Sequence, residues 1–157
     1  MSFNRCSTNM CICVNCEIIS LTAFMCGEGS NKLHGHIPTS LSSIYPSMGY
    51  LDLSRNSISG TISLNVYSMV NLQYLDLSYT SLNGSLSSSV SQWTKLRLLN
   101  VSNARLSGVF PSSASSMSSL QLLSASHNGF SGQLPGSLSS IPQLAYIDLS
   151  MNAFTGG

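Results

Sequence analysis

The chain has 157 residues and a formal net charge of +1, with 7% charged and 43% hydrophobic residues. That length is enough for one domain with a buried core. The hydrophobic fraction argues against disorder, even though serine is abundant. The six Lys and Arg residues are spread along the chain and form no basic stripe. This distribution argues against a nucleic-acid binder and gives no support to an anionic-membrane partner.

Residues 1–30 form a segment that differs from the rest of the chain because it contains every cysteine. The five are Cys6, Cys11, Cys13, Cys16 and Cys26. An odd count leaves at least one thiol unpaired unless it bonds another chain, and the connectivity cannot be deduced from sequence. Together with His34 and His36 these thiols could bind zinc, but their spacing fits no standard zinc site. Disulfides or free thiols are favoured over a metal site, so we predict no metal and no cofactor.

From about residue 31 onward the sequence repeats with a 24-residue period, the signature of a solenoid in which each unit stacks on its neighbours. Glycines recur at this spacing, at Gly60, Gly84, Gly108, Gly132 and Gly156. Apolar-x-apolar segments recur in the same register, at residues 51–53, 75–77, 99–101, 123–125 and 147–149. Each segment predicts a short strand with one side toward a core and the other toward solvent.

One strand in each unit, with all strands pointing the same way, predicts a parallel sheet along one wall of the solenoid. The recurring glycine allows the backbone to turn where a side chain would obstruct it. On the opposite wall, residues 87–94 carry apolar side chains three and four positions apart, which favours a short helical turn. Each fully buried leucine should contribute roughly 1.5–3 kcal/mol to stability.

The repeat pattern L-x-x-L-x-L-x-x-N-x-L-x-G-x-I-P resembles the plant-type leucine-rich repeat, and LAYIDLSMNAFTG at residues 144–156 fits it closely. The resemblance implies an α/β solenoid, a right-handed superhelix with a parallel sheet on the concave side and short helical or irregular turns on the convex side. It further implies a degenerate amino-terminal cap in residues 1–30 and repeats over residues 31–157, with the last unit incomplete. Family members include the extracellular regions of receptor-like kinases and receptor-like proteins, and polygalacturonase inhibitors, all of which are binding modules.

The sequence departs from the family pattern at the asparagine position of the repeat. Asparagine is kept at Asn31, Asn56, Asn128 and Asn152, whereas the middle units have Thr80 and Ala104. A buried asparagine there should hydrogen-bond the backbone of the adjacent turn, and losing a buried partner costs about 1–3 kcal/mol. We expect Thr80 to substitute in part and Ala104 not at all.

The binding face can be predicted from strand register, because side chains that flank the core positions point out of the concave sheet. The predicted binding residues are Tyr50, Asp52, Arg55, Tyr74, Asp76, Tyr79, Arg97, Asn103, His127, Tyr146 and Asp148. Tyrosine and arginine are frequent interface anchors. For the three aspartates, which share one strand position, a structural role is favoured over ligand contact.

Catalysis is not predicted, because a serine–histidine–acid triad needs three groups that converge in space. Ser126 and His127 are adjacent, but the nearest aspartate in sequence lies one unit away.

Residues 1–20 contain no basic start followed by an apolar run of roughly 7–15 residues, and no stretch approaches the ~20 apolar residues of a membrane span. We therefore expect a fragment of a larger product or a shortened relative, with an extracellular or cell-surface location implied only by the family. Asn83 and Asn100 begin N-x-S sequons, which matter only if the chain is secreted.

The leading hypothesis is a protein- or peptide-binding module that resembles part of a receptor-like kinase or receptor-like protein ectodomain, with a co-receptor as a further candidate partner. The alternatives are a wall-associated inhibitor resembling polygalacturonase inhibitors, and a truncated product with no function of its own. Neither the ligand nor the oligomeric state can be deduced from sequence.

Overall fold

The structure, a computed structural model, describes residues 33–44 and 46–156. The cysteine-containing segment 1–30, Asn31 and Tyr45 lie outside the described residues. The division of the chain at residue 30 and the cysteine chemistry therefore stay predictions.

Short strands and single helical turns alternate along the described chain. The strands are, in chain order, β1 (His34–Gly35), β2 (Tyr50–Asp52), β3 (Ser57–Gly60), β4 (Tyr74–Asp76), β5 (Ser81–Leu82), β6 (Leu98–Asn100), β7 (Ser107–Val109), β8 (Leu122–Ser124), β9 (Gly129–Gln133), β10 (Tyr146–Asp148) and β11 (Ala153–Thr155). The helical elements are α1 (Leu41–Ile44), α2 (Leu64–Tyr67) and 3₁₀ turns at Ser88–Gln92, Ser112–Ser116 and Gly136–Ser140.

The predicted concave sheet is confirmed as a five-stranded parallel sheet in the order β2-β4-β6-β8-β10. Its register follows the 24-residue period, since Tyr50 pairs with Tyr74, Tyr74 with Leu98, Leu98 with Leu122, and Leu122 with Tyr146. Each strand begins one residue before the apolar-x-apolar segment that predicted it. Because equivalent residues lie side by side, each repeat position becomes a row across the sheet.

A second set of strands, which the sequence analysis did not predict, follows the asparagine position on the side wall. It forms two three-stranded parallel sheets, β1-β3-β5 and β7-β9-β11. Strand pairing stops between β5 and β7, which separates the two sheets. A backbone hydrogen bond from Ser107 N to Gly84 O at 2.8 Å still crosses this gap. The recurring glycines in or just after these strands adopt positive φ angles, such as +81° at Gly84, as expected for a turn that disfavours a side chain.

The convex wall carries the predicted helical turns. Residues 88–92 form a 3₁₀ turn inside the segment predicted from residues 87–94, and Ser87 caps it by accepting a hydrogen bond from Ser89 N at 3.1 Å. By contrast, Ser63 caps α2 without a side-chain hydrogen bond, and its buried hydroxyl has no partner among the described residues.

The core is a continuous stack of the predicted apolar positions between the two walls, except that Ile147 in the last strand is exposed. Leu75, Leu99 and Leu123 are fully buried at equivalent positions of successive strands. Trp93 is also fully buried. It stacks on Tyr67 with ring centroids 4.8 Å apart and donates its indole N–H to Val66 O at 3.3 Å.

The asparagine position links neighbouring repeats. Asn128 Oδ1 accepts from the backbone N–H groups of Ala104 and Leu106 in the preceding repeat, at 3.2 and 2.9 Å. Its Nδ2 donates to Val101 O and Ala125 O at 2.8 and 3.1 Å, and to Ser126 O at 3.2 Å.

Thr80 substitutes in part at this position, as predicted. Its hydroxyl donates to Leu77 O at 2.7 Å, which reproduces one asparagine bond within the same repeat. Ala104 occupies this position one repeat before Asn128 and has no polar side-chain atom. It therefore cannot make the hydrogen bonds to its preceding repeat that Asn128 makes to its own.

Candidate functional site

Three rows of side chains lie on the concave face. The apolar row crosses all five strands at their first residue and consists of Tyr50, Tyr74, Leu98, Leu122 and Tyr146. The acid row lies at the last strand residue and consists of Asp52, Asp76, Asn100, Ser124 and Asp148. The turn row follows three residues later and consists of Arg55, Tyr79, Asn103, His127 and Met151. The predicted binding residues fall into these rows, except for Arg97, which directly precedes the apolar row.

The apolar row contains a stacked tyrosine pair. The rings of Tyr50 and Tyr74 are nearly parallel, with an interplanar angle of 7° and centroids 4.0 Å apart, which follows from their pairing in adjacent strands. Burial is the largest cause of a pKa for Tyr74 that is well above its ordinary value. The hydrogen bond with Tyr50 and the negative charge of Asp76 raise this pKa further. The pair therefore forms a flat, stacked aromatic surface.

A shallow cavity of about 520 Å³ adjoins this tyrosine pair. It is lined by Gly49, Tyr50, Gln73, Tyr74, Arg97 and Leu98. Its volume lies within the range of small-ligand sites. At Gly49 an added Cβ would meet Gln73 Nε2 at 3.6 Å, an ordinary contact, so the glycine leaves space that a side chain could occupy.

The carboxylates of the acid row accept hydrogen bonds from neighbouring residues. Asp76 is buried, and its oxygens accept from Ser78 N at 2.8 Å and from Asn100 Nδ2 at 2.9 Å. Asp52 Oδ1 accepts from Ser54 N at 2.9 Å. These bonds support the structural role that was favoured for the aspartates.

Asp148 has the same local bonding at the last strand. Hydrogen bonds from the side chain and backbone of Ser150, then from the side chain of Ser126, hold the pKa of Asp148 below its ordinary value, and the charge of His127 adds to this effect. The Ser126 side chain is thus a hydrogen-bond partner of the Asp148 carboxylate itself. This arrangement does not have the order of a nucleophile, base and acid triad.

The turn row has left-handed backbone conformation, with φ between +52° and +55° at all five residues. Its backbone N–H groups bond to the next repeat, for example from Arg55 to Ser78 O at 2.8 Å. The Arg55 guanidinium lies over the Tyr79 ring at 4.7 Å from its centroid. Cation–π contact and the fixed backbone make this pair an ordered part of the face.

Three residues of this site, Leu98, Gly49 and Gln73, were not predicted from the sequence. Leu98 could have been found by applying the register strictly, because it occupies the position of Tyr50 and Tyr74. Gly49 carries no signal of its own, since its contribution is the absence of a side chain next to the tyrosine pair.

The two sequon asparagines have different surroundings. Asn83 is exposed beyond β5, whereas Asn100 is half-buried and bonded to Asp76 and Ser102.

Among residues 33–44 and 46–156, no cluster of histidine, cysteine and acidic side chains suits a metal ion. The described part of the chain also contains no helix with the length and apolarity that crossing a membrane requires.

Two leucine-rich repeat family models match the chain, one over residues 94–154 and a shorter one over residues 47–69 and 71–93. Together these matches cover more than half of the chain and follow the repeats that build the concave sheet. Comparison with curated proteins gives no match.

Solved structures with the same architecture include plant receptor ectodomains. The plant peptide hormone receptor RGFR1, in complex with RGF2, is 28% identical with a TM-score of 0.77, over 80% of this chain and 20% of that chain. The ectodomain of the Arabidopsis thaliana receptor kinase GASSHO1/SCHENGEN3, in complex with CASPARIAN STRIP INTEGRITY FACTOR 2, is 30% identical with a TM-score of 0.78, over 82% of this chain and 15% of that chain. The BIR2 ectodomain from Arabidopsis thaliana is 34% identical with a TM-score of 0.70, over 78% and 64% of the two chains.

The chain thus spans a fifth or less of the length of the two receptors in complex with their ligands. The likenesses are to receptor ectodomains and do not favour the inhibitor alternative. The repeat register, the parallel concave sheet and the matching family models lead to one assignment: this chain belongs to the leucine-rich repeat family, and its plant-type repeats resemble those of receptor-kinase ectodomains.

Proposed function

We propose that the chain binds an extended peptide segment of a protein ligand across its concave face, as part of a receptor-like ectodomain at the cell surface. The observation that supports this most is the apolar row, which runs without interruption across five strands. Adjacent strands lie about 4.8 Å apart, so the row is about 19 Å long and matches about six residues of extended chain.

The chemistry of the neighbouring positions suits a peptide backbone. Gln73 and Gln121 are exposed directly before the apolar row, on either side of Arg97. Their amides can both donate to and accept from peptide groups. A flat apolar surface bordered by a few oriented polar groups is typical of binding sites for small and extended ligands.

The similar structures give this proposal a second kind of support. RGFR1 and GASSHO1/SCHENGEN3 were each solved in complex with a named ligand, and another similar structure is a complex of BIR3 with SERK2. By analogy, a second receptor ectodomain is the further partner that we propose for this chain.

Selection of a phage-displayed random heptapeptide library on the immobilised full chain would test the binding function. We expect enriched peptides that bind the wild type and lose binding to Gly49→Gln, a substitution that repeats the residue found at position 73 and fills the cavity. Leu64→Gln is the matched control, because Leu64 is 69% exposed on the convex wall. Peptides that bind Gly49→Gln and wild type equally, or no enrichment after repeated rounds, would refute the proposed site.

A further inference from the structure

Two cations at one edge of the concave face are separated along the strand direction from its carboxylates. Lys95 and Arg97 are exposed just before strand β6, at the edge where the strands begin. The described carboxylates lie in the acid row, at the opposite ends of the strands. From position 97 to the acid row the backbone advances three residues, which is about 10 Å. Charges at this separation are largely screened from each other at physiological ionic strength.

Arg97 is the cation of this edge that remains available to a ligand. Lys95 Nζ at the same edge donates to Asn71 Oδ1 at 2.8 Å. Arg55 lies beyond the acid row at the other ends of the strands, over the Tyr79 ring. Arg97 is exposed and lines the cavity beside Tyr74 and Leu98. Among the described residues, no carboxylate pairs with it.

The carboxylates of the face cannot readily turn toward Arg97, because their hydrogen bonds fix them in the sheet. Asp76 is held by Ser78 and Asn100, and Asp52 by the backbone of Ser54. The guanidinium therefore faces solvent next to an apolar surface. A planar guanidinium in this position recognises a carboxylate through two parallel hydrogen bonds.

We infer that the bound peptide carries an acidic side chain that pairs with Arg97, next to an aromatic or aliphatic side chain that occupies the cavity beside Tyr74. This inference rests on the proposed peptide-binding function and specifies its ligand. In an extended peptide, side chains two residues apart point the same way and lie about 6.6 Å apart. The acidic and apolar residues are therefore expected at positions i and i+2.

Deep sequencing of heptapeptides selected in parallel on three forms of the full chain tests this inference. The forms are the wild type, Arg97→Gln and Arg105→Gln, where Arg105 is the matched control because it is exposed in the loop before β7, away from the cavity. We expect Asp or Glu two positions from an aromatic or aliphatic residue in the wild-type and Arg105→Gln pools. The acidic preference should disappear from the Arg97→Gln pool while the apolar preference remains.

A synthetic peptide from the wild-type pool provides the quantitative test. Replacing its acidic residue by the amide should weaken binding to the wild type about tenfold, as expected for a hydrogen-bonded charge pair, and should change binding to Arg97→Gln much less. Pools without an acidic preference, or with one that survives in Arg97→Gln, would overturn the inference and leave peptide binding standing. Absence of enrichment on every form would instead overturn the proposed function.

Discussion

Replacing Asn128 by alanine should be one of the most damaging polar substitutions in the described chain. The change removes the acceptor for the N–H groups of Ala104 and Leu106, at 3.2 and 2.9 Å. A buried donor left without a partner costs about 1–3 kcal/mol. Because the bond to Ala104 is the longer of the two, we expect a total loss of about 3 kcal/mol. Domains of this size are stabilised by only about 5–15 kcal/mol.

Urea unfolding of the full chain, followed by circular dichroism and the fluorescence of its single, buried tryptophan, measures this loss. Asn65→Ala is the matched control, since Asn65 is exposed in α2 and should change stability by less than about 0.5 kcal/mol. Asn128→Thr should fall between these variants, because Thr80 shows that threonine keeps one bond within its own repeat. A loss below about 1 kcal/mol for Asn128→Ala would refute the coupling role assigned to this side chain.

Further substitutions separate the contributions of local features. Ser63→Ala should leave stability unchanged or raise it by up to about 1 kcal/mol, because the buried Ser63 hydroxyl has no partner among the described residues. Ser87→Ala should lower it by about 1 kcal/mol through loss of a helix cap, and equal urea midpoints for the two variants would contradict this reasoning. Gly84→Ala should cost about 1–3 kcal/mol, since φ is +81° and the new Cβ would lie 3.0 Å from a Thr61 methyl group. Gly136→Ala, with nothing within 4 Å of its Cβ, should be nearly neutral in the same urea assay. The pKa of Tyr74 is raised in the folded state, so folding favours the protonated phenol. The resulting contribution of Tyr74 to stability is fully present below the unfolded pKa near 10, and it is lost as the pH rises through the folded pKa. Thermal midpoints measured between pH 9 and about 11.5 should therefore fall less steeply for Tyr74→Phe than for the wild type, and parallel curves would count against the shift.

The concave sheet and convex turns could be predicted because stacking forces equivalent residues of successive repeats into the same environment. Leu75, Leu99 and Leu123 are recognisable as one buried position from their spacing alone. The side-wall strands were not predicted because they are two to five residues long and most of them contain a turn glycine. The alternation around Ile58 and Phe130 was the signal that could have revealed them.

The candidate site was predictable only where its chemistry resides in a side chain. Strand alternation placed Tyr50 and Tyr74 on the concave face, and pairing in the sheet accounts for their stacking. The cavity next to them depends on what Gly49 lacks, and a single sequence does not distinguish a glycine that shapes a site from one that only completes a turn. Likewise, the sequence does not reveal that the Asp76 carboxylate accepts a hydrogen bond from Asn100, because that partner lies in the adjacent strand.

The replacement of asparagine at Thr80 and Ala104 coincides with the interruption of the side-wall sheet between β5 and β7. In a one-dimensional array, cooperativity comes from the coupling between nearest neighbours. With the asparagine link missing at two successive junctions, this coupling is weakest in the middle of the array. We therefore expect the repeats on either side to behave as two cooperative blocks, and hydrogen exchange of backbone amides should find the first subglobal opening at these two junctions.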